Sequence, residues 1–168
     1  MLGVERGRVE VVAYDPAWPR LFSEEERQLR CALGALVVDI QHVGSTSVPG
    51  LAAKPILDIA IALRRISDAE QCVAPLEALG YEYKGECGLP NRHYFTKGSP
   101  RTHHLHVVEA TSAYWANHLC FRDRLRSDEE LARRYAQLKS ELAQKYVTDR
   151  EAYTEAKAPF IQTVLQSS

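Results

Sequence analysis

The stretch "QHVGSTSVPGLAAKPILDIAIAL", residues 41–63, decides the fold. It reads as a strand, a loop of small residues, and a second strand in which one acid, Asp58, stands amid apolar residues. Strand side chains alternate between the two faces of a sheet. Leu57, Ile59, Ile61 and Leu63 therefore make one face, which belongs to a core, while Ile56, Asp58, Ala60 and Ala62 make the other. A carboxylate taken out of water is costly unless it is paired or binds a metal. Two readings of Asp58 stay open: half of an ion pair with an Arg or Lys that holds the sheet together, or a functional group. The alanines beside it leave room for something to sit over the sheet, which favours the second.

The stretch "RTHHLHVVE" divides in the same way. Leu105 and Val107 take the core face, and His104 and His106 share the opposite one with Val108. Two imidazoles presented together are a common metal-ligand arrangement, although H-x-H alone is a weak signal and structural histidines are commoner. If the two strands are neighbours, Asp58, His104 and His106 form one cluster. Charge is lopsided nearby: residues 88–108 contain no acid, but they contain Arg92, Lys97, Arg101 and four histidines. That is either a solvated basic edge or an anion site, with phosphate the usual occupant. The "GSTS" loop supplies backbone N–H groups and hydroxyls to the second reading. The sequence has no G-x-x-x-x-G-K-[ST], no G-x-G-x-x-G and no G-x-S-x-G, which removes the P-loop, Rossmann and serine-hydrolase readings.

Working outward, strands are predicted over 9–14, 37–43, 56–63, 81–84, 92–97 and 102–108. A first helix opens on Pro16 behind Asp15 and stops at Gly34. Capping boxes at Ser67, Ser127 and Thr148 start three more helices, the last kinked at Pro159. The stripes Tyr114, His118, Phe121, Leu125 and Leu131, Tyr135, Leu138, Leu142 are predicted to be core. Strands first and helices last give an α+β fold, a mixed β-sheet with packed helices and a C-terminal helical segment. The 168 residues fit one domain, 1–168, and 21 basic against 22 acidic residues give no field that would draw nucleic acid or membrane. The four cysteines form no C-x-x-C pair, and no apolar run approaches the ~20 residues of a membrane span. The expectation is a soluble, cytoplasmic protein.

Taken together, "YDPAWPRLFSEE", "HVGSTSVPGLAAKPILDI", "NRHYFTKG", "RTHHLHVVE", "FRDRLR" and "YTEAKAPFI" resemble the GrpB family, in order over 14–161. The family occurs alone in many bacteria and also fused behind dephospho-coenzyme A kinase. The resemblance implies a nucleotidyltransferase-like fold, in which a Gly-Ser opens the site and an h-D-h-[DE]-h strand follows. Gly44 and Ser45 match the Gly-Ser, and Asp58 matches the first metal-binding, catalytic acid. It further implies a nucleoside triphosphate at Gly44, Ser45 and Thr46, with Lys54, Arg92, Lys97 and Arg101 around its phosphates. A divalent metal (Mg, Mn or Zn) would sit at Asp58 with His104 and His106. The sequence departs from the superfamily at the second acid, where Ala60 stands. One carboxylate supplies few oxygens for Mg²⁺, and imidazoles favour Mn²⁺ or Zn²⁺. The expected function is a metal-dependent nucleotidyl- or phosphoryl-transferase acting on a small molecule. The rivals are a non-catalytic nucleotide- or cofactor-binding module, linked to coenzyme A metabolism, and a histidine-metal hydrolase.

Overall fold

In the computed structural model, which describes residues 1–167, five strands form one sheet. They are β1 (Val37–Val43), β2 (Leu57–Leu63), β3 (Tyr81–Tyr83), β4 (His93–Lys97) and β5 (His103–Glu109), in the spatial order β1-β2-β5-β4-β3. The pairing is antiparallel except between β2 and β5, which run parallel. A parallel pair needs a long crossover. Here it consists of helix α2 (Glu70–Ala78) followed by β3 and β4.

One face of the sheet packs on α1 (Trp18–Leu33) and α2. Leu57, Ile59, Ile61 and Leu63 are fully buried there against Trp18, Leu29 and Leu76. Burying those four β2 side chains contributes about 10 kcal/mol at the usual value per large aliphatic residue. A one-residue slip would turn all four outward, so the register is pinned. That same register fixes Asp58 on the opposite face.

The opposite face is covered by α3 (Ala113–Ser127), α4 (Glu129–Lys145) and α5 (Arg150–Gln166), which share a second apolar cluster with Val48 and Leu51. Two arginines of α3 tie it down. Arg122 donates from Nη1 to Gln41 Oε1 (2.7 Å) and to the His42 carbonyl (3.0 Å). Arg126 donates from Nε and Nη2 to the Ser47 carbonyl, at 2.9 and 2.8 Å.

The predicted α+β layout is the observed one, with local differences. Residues 9–14 make no strand: Val12 forms an isolated bridge with Ala53, and the Val9 N–H reaches the Val147 carbonyl. Val9 is buried against the body of the protein, so its hydrophobicity reports burial and not a ladder. Helix α1 begins at Trp18, with Asp15 Oδ1 accepting from the Ala17 N–H (2.9 Å). Ser67 lies in a 3₁₀ turn, and α2 starts at Glu70 without a side-chain cap. At the other two capping boxes the next residue does the work: Asp128 accepts from Leu131 N–H and Asp149 from Ala152 N–H. Aspartate is as good a cap as serine. Helix α5 continues through Pro159. Among the described residues no helix is long and apolar enough to cross a membrane.

Candidate functional site

The parallel register sets Asp58 beside His104 and Ala60 beside His106. Asp58 Oδ1 is 3.1 Å from His104 Nδ1 and 3.3 Å from His106 Nε2. The three residues that strand alternation placed on one face are thus in contact. Their protonation follows from the partners. Arg150 Nη2 lies 3.1 Å from His104 Nε2, and a guanidinium can only donate. His104 Nε2 is therefore an acceptor, its Nδ1 carries the proton, and that N–H donates to Asp58. His106 donates from Nε2, while its Nδ1 is buried without a hydrogen-bond partner. Protonating Nδ1 would strand an N–H there. Burial holds both imidazoles below the usual histidine range, against the pull of Asp58. For Asp58 itself, burial pushes the carboxyl up, but the hydrogen bonds from the two histidines outweigh it. The carboxyl is held well below its ordinary range.

The Gly-Ser turn meets this carboxylate directly. Gly44 has φ +69°, and a Cβ there would stand 2.8 Å from Asp58 Oδ2. Only a residue without a side chain lets the backbone pass so close. Ser45, Thr46 and Ser47 form a 3₁₀ turn. The Thr46 hydroxyl accepts from His42 Nε2 (2.9 Å) and donates to the Ile56 carbonyl (3.3 Å), and Ser47 Oγ donates to the Gly44 carbonyl (2.5 Å). Those two hydroxyls hold the turn, and Ser45 is left on the pocket wall.

Between this face and the C-terminal helices lies a pocket of about 540 Å³, within the range of small-molecule sites. Of the sequence-predicted residues, Gly44, Ser45, Thr46, Lys54, Asp58 and Arg92 line it, and so do Arg101, His104 and His106. Lys97 does not. It falls on the other face of β4, where Nζ donates to Glu25 Oε1 (2.8 Å) and sits 5.0 Å from the Tyr81 ring centroid. The space expected over the alanines is also taken. Ala60 and Ala62 are fully buried, with Tyr114 of α3 against the His106 ring (5.5 Å) and Arg122 on Gln41 beside them.

The helices contribute lining residues that the sequence reading assigned to core or passed over: Tyr114 and His118 on α3, Tyr135 and Lys139 on α4, and Arg150, Tyr153 and Lys157 on α5. A signal was present. Arg150, Tyr153, Lys157 and Ile161 repeat at helical spacing, and Lys139 follows Tyr135 by four, so cations interrupt apolar stripes. Among the described residues the wall carries six cationic side chains and one carboxylate, Asp58.

Among the described residues no group of three or more His, Cys, Asp or Glu is arranged to hold a metal ion. The imidazoles turn N–H groups toward Asp58, which makes a hydrogen-bonded cluster. Both bonds fall on Oδ1, so Oδ2, on the Gly44 side, is the oxygen left to a cation. That fits a hard ion that draws its other ligands from phosphate oxygens and water.

The sequence model of the GrpB protein family matches residues 8–167. A Pseudomonas aeruginosa relative is 45% identical over 163 residues, 94% of this chain and 66% of its own. The chain thus spans less than two thirds of that relative's length. A dephospho-CoA kinase of Mycolicibacterium paratuberculosis is 27% identical over 95% of this chain and 46% of its own. The crystal structure of conserved protein GrpB from Enterococcus faecalis superposes with a TM-score of 0.87, at 38% identity, over 94% of this chain and 96% of that one. The poly(U) polymerase Cid1, in an MgGTP-bound structure, gives a TM-score of 0.55 at 16% identity, over 80% of this chain and 44% of its own. This last likeness is one of fold, a nucleotidyltransferase-like α+β arrangement. The chain belongs to the GrpB family.

Proposed function

We propose that the pocket binds a nucleotide, or a similar small molecule bearing two or more phosphates, and that the protein acts on it as a nucleotidyl- or phosphoryl-transferase. The observation that carries this reading is the imbalance of the wall, six cationic side chains against Asp58 alone. Cations gathered in a partly dry pocket repel one another and are desolvated, so an anion is the ligand that relieves them. Asp58 against the Gly44–Ser45 turn reproduces the juxtaposition that the superfamily pattern requires. A divalent ion at Asp58 Oδ2 would neutralise phosphate charge and polarise the phosphoryl group. Arg92, Arg101 and Arg150 are placed to orient the phosphates, and the helices exclude water from one side.

A second reading, binding without transfer, is favoured by Ala60. Ala60 stands at the position of the superfamily's second acid, is fully buried and does not line the pocket, so a second carboxylate is missing there. The related segment in a dephospho-CoA kinase points this reading toward a coenzyme A-like ligand.

Calorimetry and melting curves with nucleoside triphosphates, coenzyme A and dephospho-coenzyme A, with and without Mg²⁺, Mn²⁺ or Zn²⁺, test both. A true ligand at 100 times its Kd adds about 2.7 kcal/mol of stability. Binding with turnover of labelled triphosphate supports transfer, and binding without turnover supports the module. Absence of any shift with every phosphorylated compound overturns the pocket assignment.

A further inference from the structure

Three of the six cations stand together at the end of the pocket formed by α4 and α5. Lys54 comes from the segment before β2, Lys139 from α4 and Lys157 from α5. Lys54 Nζ and Lys157 Nζ lie 5.2 and 4.5 Å from the Tyr153 ring centroid, and Lys139 Nζ lies 4.9 Å from that of Tyr135. Lys139 is 2% exposed, and its ammonium donates to the Ala52 carbonyl. Among the described residues the lysines in ion pairs are Lys84 and Lys97, so none of these three has a carboxylate of its own.

Buried ammonium groups are ordinarily paired. Three segments that bring one buried ammonium, Lys139, and two half-buried ones, Lys54 and Lys157, to a single place without a carboxylate partner form a site with its counter-charge still to come. Resting on the reading of the pocket as a phosphate site, we propose that Lys54, Lys139 and Lys157 form a subsite for the terminal phosphates of a di- or triphosphate. Filling it draws protons from solvent onto the lysines.

The electrostatics agree with the geometry. Burial pushes the Lys139 and Lys157 amines down to about 7 and Lys54 to about 8. Facing them are Arg150 of α5, which lowers Lys54 and Lys157 further, and Asp58 of β2, which opposes that effect. The Tyr135 and Tyr153 phenols are raised by burial and stay neutral. An anion beside a lysine favours its charged form and raises its pKa. Between the depressed values and the ordinary lysine range, binding therefore takes up protons, and affinity falls as pH rises through that window.

The test is calorimetry with orthophosphate, pyrophosphate and tripolyphosphate, metal-free, at about pH 8, in two buffers of different ionisation enthalpy. Tripolyphosphate is expected to bind about tenfold or more tighter than orthophosphate, with a buffer-dependent heat in the sense of proton uptake. Lys157→Gln and Lys54→Gln should each weaken tripolyphosphate about tenfold and reduce the uptake, with orthophosphate changed less. Using both variants keeps the test decisive if one fails to fold. Equal heats in the two buffers, or full tripolyphosphate affinity in both variants, overturns the subsite. If affinity survives in both lysine variants but is lost in Arg101→Gln, the pocket reading stands and the subsite falls. If no polyphosphate binds the wild type, both fall.

Discussion

His103 and His104 are neighbours on β5, yet they belong to opposite faces of the sheet and to two different kinds of polar cluster. On the α1 face, Glu25 is 6% exposed, and its Oε1 accepts from the Tyr81 hydroxyl (2.7 Å) and from Lys97 Nζ (2.8 Å). His103 Nε2 is 3.9 Å from the other oxygen. One acid meets one amine, with neutral donors filling in. On the pocket face, one acid meets six cations. Both faces set a lysine ammonium over a tyrosine ring, Lys97 on Tyr81 and Lys54 on Tyr153. What separates them is charge balance: the first cluster is closed on itself, and the second has more cations than its single carboxylate can offset.

The contrast can be broken at its closed end first. Glu25→Gln leaves the half-buried Lys97 ammonium without its counter-charge and should cost roughly 3 kcal/mol in urea unfolding. A loss below about 1 kcal/mol would mean that the α1 face is no better paired than the pocket. Asp58→Asn should cost less, about 2 kcal/mol in the ligand-free protein, because two histidine N–H groups lose a charged acceptor and the cations lose their only acid. A gain in stability would show instead that the carboxylate is under-compensated until a metal arrives.

The smallest effect is in the pH profile. The Glu25 carboxyl is raised by burial but lowered further by Lys97 and Tyr81, so its net shift is downward. Its contribution is present above the unfolded pKa and is lost as pH falls through the folded one. The pocket lysines, also held below their ordinary range, shift stability in the same direction but in a higher pH window. Above about 7 the unfolded chain holds protons that the folded lysines have released, so ligand-free stability climbs with pH toward the ordinary lysine range. Melting temperatures of wild type and Lys157→Gln from neutral to alkaline pH should show a shallower climb in the variant. Parallel curves would remove Lys157 from the account.

Strand periodicity made much of the site legible. Residues 37–43 and the two faces of β2 and β5 followed from alternation and from the need to bury Leu57, Ile59, Ile61 and Leu63. Asp58, His104 and His106 then had to share a face. The same alternation, applied to β4, would have removed Lys97 from the pocket, since it points the way of Phe95. Composition alone had grouped it with Arg92 and Arg101. What could not be read was the docking of α3–α5, because an apolar helical stripe looks alike whether it packs on another helix or walls a cavity. The burial of Ala60 was hidden for that reason too. A small residue beside an acid is compatible with an open cleft or with a helix laid across it.

The parallel pairing of β2 with β5 also orders events in time. Asp58 and His104 are 46 residues apart, and as the chain leaves the ribosome the acid appears long before its imidazole partners. Their strands cannot meet until the crossover through α2, β3 and β4 has been made. Lys139 and Lys157 emerge later still. A nascent chain at that stage holds the acid with none of the helical cations, and a cut between α3 and α4 would separate the two sets covalently. The proposed affinity for a polyanion therefore requires that α4 and α5 have docked. It can serve as a reporter that α4 and α5 have docked, which a measure of strand content would miss.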